Sequence, residues 1–436
     1  MRGILLQTCG LVLVLLAPAA HAANWLMLQG TEPAAADPGP RIWGFLQPEF
    51  QSTGGGKIPA GPFKGEILAP NGIPPDREEA SQFNLRRARL GLRGKPGGLL
   101  TGTNYFFLAE FGNNGLTDPT DRLVEITDAS LTLNVIPGIR VRLGQFKFPG
   151  SEEGLRAIHV SDYINFTSAT DVLLLERFLD KTAGGPGDPN PLNGPVGAFR
   201  DVGAQVFDTF LLPKWEHSYA LMAGNGNGVS RKDNDSRKDV YVYWASERIF
   251  KGQGPRRQGW KLLAWYQRGE RTIFDSSLGK EKIYGRTRWG LGTTFRKGRL
   301  RAAGEFIGAR GMIFNGTFGG APPGTTNSAG QTAYFEVLPE ESADGWYLDL
   351  GFRFLPRVEG DIRYDRLNRA TESASRERRF ETLTLGLQFS PRPGLRFSAN
   401  YEIRTAEAPG LPASSPPNRT LDNLDDRFSA QAIWIF

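Results

Sequence analysis

The stretch RFSAQAIWIF at residues 427–436 decides the fold. Phe428, Ala430, Ala432, Trp434 and Phe436 share one parity. Ser429 and Gln431 take the other, joined near the end by Ile433 and Ile435. Successive strand side chains point to opposite faces, so one face is wholly apolar and its aromatics crowd the last residues. A soluble protein would have to bury such a strand, because an exposed edge of this kind invites aggregation. A membrane barrel removes the difficulty by pairing its last strand with its first. The alternative is a core strand of a soluble sandwich.

At 436 residues the chain suits either several soluble domains or one large barrel. A hydrophobic content of 39% and a mean hydropathy of −0.35 exclude a helical membrane protein. They do not exclude a barrel, where only alternate residues meet lipid. Residues 1–22 read as a signal peptide: Arg2, an apolar run over 4–16, and the small-x-small site Ala20-His21-Ala22. The single cysteine, Cys9, lies inside that run rather than after it, which argues against a lipoprotein. Cleavage after Ala22 leaves no cysteine and moves the formal net charge from +6 to +5 by removing Arg2. Residues 23–40, rich in Ala, Pro and Gly, read as a flexible lead-in.

From residue 41 to 436 the chain reads as a transmembrane antiparallel β-barrel. Four segments alternate apolar and polar residues: 128–135 (DASLTLNV), 346–354 (WYLDLGFRF), 382–389 (TLTLGLQF) and 395–404 (LRFSANYEIR). Their period is 2, not the 3.6 of an amphipathic helix. Tight turns at 136–138, 211–213, 297–298, 355–356 and 391–394 separate long polar loops, a pattern of short periplasmic turns and long extracellular loops. About sixteen strands are expected, starting near 41, 83, 104, 124, 139, 200, 214, 238, 259, 282, 299, 344, 357, 380, 395 and 427. Trp43, Trp215, Trp260, Phe295, Phe354, Phe389, Phe397, Trp434 and Phe436 gather at the short turns and are expected to form one interfacial girdle. The longest gap, residues 149–199, is the third long loop. It is the candidate for a loop that folds into the lumen and narrows it; a surface loop is the bland alternative.

Apolar parity fixes where the charges point. An arginine at a lipid-facing midplane position costs roughly 2–4 kcal/mol, so Arg87, Arg89 and Arg93, Arg140 and Arg142, and Arg286 and Arg288 are expected to face the lumen. Arg87, Arg89, Arg140 and Arg142 would form one positive band that attracts anions. Glu110, Asp128, Glu305, Asp349, Glu359, Asp361, Asp365 and Glu402 share the lumen parity, most of them further round the wall. Anions then dominate if the loop leans so as to leave the arginine side open.

The run LGQFKFP at 143–149, followed by Glu152 and Glu153, resembles the signature of phosphate-selective porins of the O and P type. RRARLGL at 86–92, RDVG at 200–203, NGNG at 225–228 and RYD at 363–365 support it in the same order, and together they span most of residues 41–436. The ending also resembles the terminal strand of outer-membrane barrels, which assembly machinery reads by its final aromatic, here Phe436. The resemblance implies a homotrimeric sixteen-stranded porin in a Gram-negative outer membrane, in contact with outer-membrane lipids. It also implies a constriction lined by basic residues, Lys147 among them, that passes small hydrophilic solutes with a preference for anions such as phosphate. A structural or adhesive barrel with a plugged lumen is the alternative. Catalysis is not expected: only His159 and His217 follow the signal segment, and no thiol is available for a soft metal site. No cofactor and no nucleic-acid partner are expected, since the arginines are scattered rather than gathered in one patch.

Overall fold

The computed structural model describes residues 24–28, 39–75, 77–96, 102–117, 122–182, 184, 191–192, 194–229, 231, 233–275 and 278–436. The expected signal peptide, residues 1–22, lies outside them.

Eighteen strands are present among the described residues. They are β1 (Arg41–Thr53), β2 (Ser81–Gly94), β3 (Thr103–Glu110), β4 (Glu125–Ile136), β5 (Ile139–Lys147), β6 (Arg200–Leu212), β7 (Trp215–Gly224), β8 (Asp239–Lys251) and β9 (Gln258–Asp275). The second half holds β10 (Lys280–Lys297), β11 (Leu300–Arg310), β12 (Ile313–Thr317), β13 (Phe335–Leu338), β14 (Ser342–Leu355), β15 (Val358–Arg369), β16 (Arg378–Arg392), β17 (Leu395–Glu407) and β18 (Arg427–Ile435). Sixteen of them close into one antiparallel barrel, each beside its neighbour in sequence; β12 and β13 form a separate hairpin between β11 and β14. Each barrel strand begins within two residues of the start read from the sequence. The hairpin was not anticipated, because its strands are too short to show a period.

Closure is made by β18 against β1, with Phe45 opposite Ile435 and Phe50 opposite Ala430. Gly44 and Phe436 exchange both backbone hydrogen bonds, at 2.9 and 3.0 Å. A side chain at Gly44 would collide with the Phe436 ring, so the glycine lets the last aromatic lie flat on the first strand. Gly138 and Gly394, at φ 80° and 79°, turn the short connections β4–β5 and β16–β17 in the left-handed region that suits glycine.

The outer surface is apolar. Trp260, Leu291, Leu348, Phe389, Phe397, Trp434 and Phe436 are exposed, as a lipid-facing belt requires. The expected girdle holds for these aromatics but not for Trp43. Its indole lies in the lumen, 5.7 Å from the His159 ring and 6.2 Å from Phe45. Phe45 is 1% exposed and shares Trp43's parity, so β1 turns both rings inward.

Deleting residues 434–436 removes the backbone pair at Gly44 and the partners of Phe45 and Leu46, which leaves the first part of β1 with an open edge in the bilayer. The truncated protein should fail to appear as heat-modifiable barrel in outer-membrane fractions and should be degraded; normal yield would contradict this account of closure.

Candidate functional site

The lumen is built from the inward parity of the strands. Arg89 meets Glu110 at 2.6 Å, and Arg87 donates to Gln47 at 3.2 Å. Arg93 donates to the Leu28 carbonyl at 3.3 Å. Arg140 pairs with Asp208, and Arg142 donates to Thr132 while its guanidinium stacks 4.4 Å over Phe207. Lys147 donates to the carbonyls of Gly154 and Arg156 at 2.7 and 2.8 Å. Arg286 Nε lies 3.0 Å from Glu176, and Arg288 donates to the carbonyls of Leu173, Gly311 and Met312. All eight sequence-derived candidates therefore have partners, and Arg87, Arg89, Arg142, Lys147, Arg286 and Arg288 are buried. The expected open band of Arg87, Arg89, Arg140 and Arg142 is not bare wall.

Residues 149–182 run through the lumen. Ser151 caps α2 (Glu152–Leu155) and Thr167 caps α3 (Ser168–Leu173), giving the loop two short rigid turns. Ser151 donates to Glu305 at 2.9 Å, Tyr163 to Asp349 at 2.9 Å, and the Ser168 amide to Asp365 at 2.9 Å. Asn165 donates to Glu402 and Ser429, and Asn400 accepts from the Ile164 amide. Lys261 reaches Glu152 at 2.5 Å. Although burial disfavours its charge, Asp162 is held well below the usual carboxylate range by Arg256, Arg301 and Arg156. The loop thus anchors on β9, β11, β14, β15, β17 and β18, where acids stand, and also on the basic side, where Lys147 of β5 and Arg288 of β10 donate to its carbonyls and Arg86 of β2 donates to Asn165 at 2.9 Å.

Two features depart from the sequence reading. The lumen parity carries more than charged residues: Phe207, Tyr243, Leu263, Trp265 and Ile307 point inward and pack with Leu155, Leu173 and Leu174 of the loop. One side of the barrel is therefore a dry core rather than a wet wall. The lead-in, expected to be flexible over 23–40, is folded at residues 24–28; residues 23 and 29–38 lie outside the described structure. There α1 (Trp25–Leu28) buries Trp25, Leu26 and Met27 inside the barrel. Asn24 donates to Glu216 and Ser218 of β7, and Met27 Sδ lies 3.8 Å from Arg140. Amphipathic alternation cannot reveal such packing, because the partner residues are distant in sequence.

The lumen side chains that keep some accessibility are mostly basic: Arg86, Arg93, Arg140, Arg156 and Arg396, with His159 among them. Arg86 faces inward through a bulge opposite Gln47 and Pro48, which places Arg86 and Arg87 on the same face. Strict parity assigns Arg86 outward, so the sequence missed it. Arg396, on the inward parity of β17, donates to Gln388 and to the Ser161 carbonyl. Burial, with Arg89, Lys147 and Arg396 nearby, pushes His159 down to about 3, so it stays neutral at ordinary pH. Three of these arginines are ion-paired, Arg86 with Glu49, Arg140 with Asp208 and Arg156 with Asp162, and the wall acids are engaged as well: Glu110 with Arg89, Asp128 with Arg200, Glu402 with Arg427, and Asp349, Glu359 and Asp361 with Arg301.

No protein-family profile and no curated protein matches the chain. Many solved structures do share its fold. Among them are an anion-selective porin from Comamonas acidovorans (TM-score 0.51, 11% identity, covering 91% of this chain and 99% of that one). The outer-membrane channel DcaP of Acinetobacter baumannii gives 0.51 at 13%, covering 94% and 100%. The trimer form of OmpT, an outer-membrane protein of Vibrio cholerae, gives 0.50 at 10%, covering 91% and 99%. At these identities the likeness establishes the fold: a closed sixteen-stranded barrel of the outer-membrane type.

Replacing Arg301 with Ala would strand Asp349, Glu359 and Asp361 without their shared cation. Breaking such a buried network by removing one partner costs about 3–5 kcal/mol. The variant should lose its heat-modifiable form at lower temperature than the parent; unchanged thermal unfolding would show that the acids find other partners.

Proposed function

We propose that the protein is a diffusion channel of the Gram-negative outer membrane for small hydrophilic solutes, with a preference for anions such as phosphate. The observation that carries the reading is the sign of the accessible lumen. The loop and the wall arginines engage the acids, while Arg86, Arg93, Arg140, Arg156 and Arg396 keep part of their side chains accessible. A narrow wet passage in a low-dielectric wall focuses such a field and raises the local anion concentration. The segment 149–199 then acts as the constriction loop, matching wall acids from within the lumen while Lys147, Arg86 and Arg396 hold it from the basic side. The domain plan follows: a cleaved segment 1–22, and a barrel over 41–436. A homotrimer and recognition of Phe436 by the assembly machinery belong to the same reading, as does membership in the phosphate-selective porins of the O and P type. The chemistry is passive, with neither catalysis nor cofactor.

A second reading has its own observation. The apolar packing of Trp25, Leu155, Leu173, Trp265 and Ile307 inside the barrel is what a plugged, structural barrel would use.

Reconstitution in planar bilayers separates the two. Stepwise conductance is expected, with a reversal potential toward the anion in a chloride gradient and again in phosphate. No steps from verified folded protein would favour the plugged barrel, and cation preference would overturn the anion reading. The triple variant Arg93→Ala, Arg140→Ala, Arg396→Ala should lower the anion/cation permeability ratio severalfold while the barrel still folds.

A further inference from the structure

On the lipid-facing surface, three adjacent strands bring two arginines and a threonine into one row. Thr287 of β10 stands opposite Arg268 of β9 on one side and Arg310 of β11 on the other. Neighbouring strands lie 4.7–4.9 Å apart, so the two arginine backbones are about 10 Å apart across the threonine. The adjacent residues Gln267, Arg288 and Ala309 are buried in the lumen, so the row faces outward, and both arginines are exposed. Arg268 lies eight residues from Trp260 of the periplasmic girdle. On a strand tilted near 40° that is about 20 Å along the membrane normal, close to the far edge of a ~25 Å apolar band.

The surroundings are those of a headgroup site. The next outward positions toward the periplasm are Tyr266 and Trp289, both exposed, with the Trp289 ring 5.3 Å from that of Phe306. Aromatics of this kind sit at the level of lipid headgroups and upper acyl chains. Toward the extracellular side the next outward position on β10 is Gly285, where an added Cβ would meet no atom within 4 Å. The strand position above Thr287 is therefore open, and Glu270, opposite Gly285 on β9, is drawn to Arg237 at 3.2 Å.

Other outward-facing cations near the rim have acidic partners. Arg237 pairs with Glu270 at 3.2 Å, Arg366 with Glu381 at 3.7 Å, and Arg379 with Glu407 at 2.6 Å. Arg268 and Arg310 make no side-chain hydrogen bond and no ion pair with any described residue. Two unmatched guanidinium groups at a membrane interface call for an anionic partner in the leaflet itself. Guanidinium binds phosphate through paired N–H donors, and the Thr287 hydroxyl adds one more.

We propose that Arg268, Thr287 and Arg310 hold the headgroup of a phosphorylated glycolipid of the outer leaflet. A saccharide would rest over Thr287 and Gly285, with phosphate groups reaching the two arginines and acyl chains lying over Tyr266 and Trp289. Two phosphates spaced by a sugar suit the roughly 10 Å separation better than the single phosphate of a glycerophospholipid. The inference rests on the barrel standing in an outer membrane. It does not depend on the channel reading, and its readout is lipid binding rather than conductance.

The test uses the full-length protein, delipidated in detergent and shown to be folded by heat-modifiable migration. Four probes are added in turn: a bis-phosphorylated glycolipid, its enzymatically dephosphorylated form, an anionic glycerophospholipid and inorganic phosphate. Bound lipid is counted by native mass spectrometry. The parent should bind the phosphorylated glycolipid most tightly, and Arg268→Ala/Arg310→Ala should weaken it by about tenfold or more, as loss of charge-assisted contacts predicts. Arg366→Ala/Arg379→Ala, which removes matched rim cations, should leave it unchanged. If the alanine pair fails to fold, Arg268→Gln/Arg310→Gln gives the same reading with side-chain volume kept. Equal binding by parent and double variant would overturn the proposal. So would equal affinity for the dephosphorylated glycolipid or the glycerophospholipid, or displacement of the glycolipid by millimolar inorganic phosphate.

Discussion

Everything in this molecule depends on a bilayer's refusal to hydrogen-bond the backbone. An N–H or C=O facing hydrocarbon must find its partner within the protein, so a spanning sheet has to close. Here closure falls to β18 against β1, finished by the reciprocal bonds of Gly44 and Phe436. Because the sheet closes, every strand has an inside and an outside. From that follow the apolar belt on one parity and the charges on the other.

The enclosed interior then presents its own electrostatic problem. A wall carrying Glu305, Asp349, Asp361, Asp365 and Glu402 cannot be covered by an apolar loop without leaving buried charge unmatched. The inserted segment answers with donors: Ser151, Tyr163, Asn165 and the backbone amide of Ser168. Arg301 gathers three of the wall acids and touches Asp162 of the loop as well. Matching the acids in this way leaves arginine as the main accessible side chain of the lumen. On the proposed anion reading, the sign of the passage follows from how the acids are matched rather than from the total charge of the wall.

Beside this polar lining lies a packed apolar region that a simple pore does not need. Trp265, Leu263 and Ile307 interleave with Leu173, Leu174 and the N-terminal Trp25 and Met27. Such packing stiffens the loop, since a buried aliphatic side chain contributes about 1.5–3 kcal/mol. A loop held by both dispersion and ion pairs presents one shape. Residues 24–28 contribute to the same core, which joins the beginning of the chain to the middle of the barrel.

The barrel was legible in the sequence because its signal is local. A period of two, an apolar last strand and short turns alternating with long loops are each visible in ten residues, and the strand starts agree to within two residues. The facing of Arg87, Arg140 and Arg288 followed from the same parity, since the cost of charge in lipid leaves one choice. What no local pattern carries is who meets whom across the lumen. The bulge that turns Arg86 inward depends on the register of β1 with β2. The inward turn of Trp43, the anchoring of the loop on the acids and the burial of Trp25 join residues tens to hundreds of positions apart. Parity says that a side chain points into the barrel; only the closed tertiary structure decides whether it meets water, a carboxylate or a leucine.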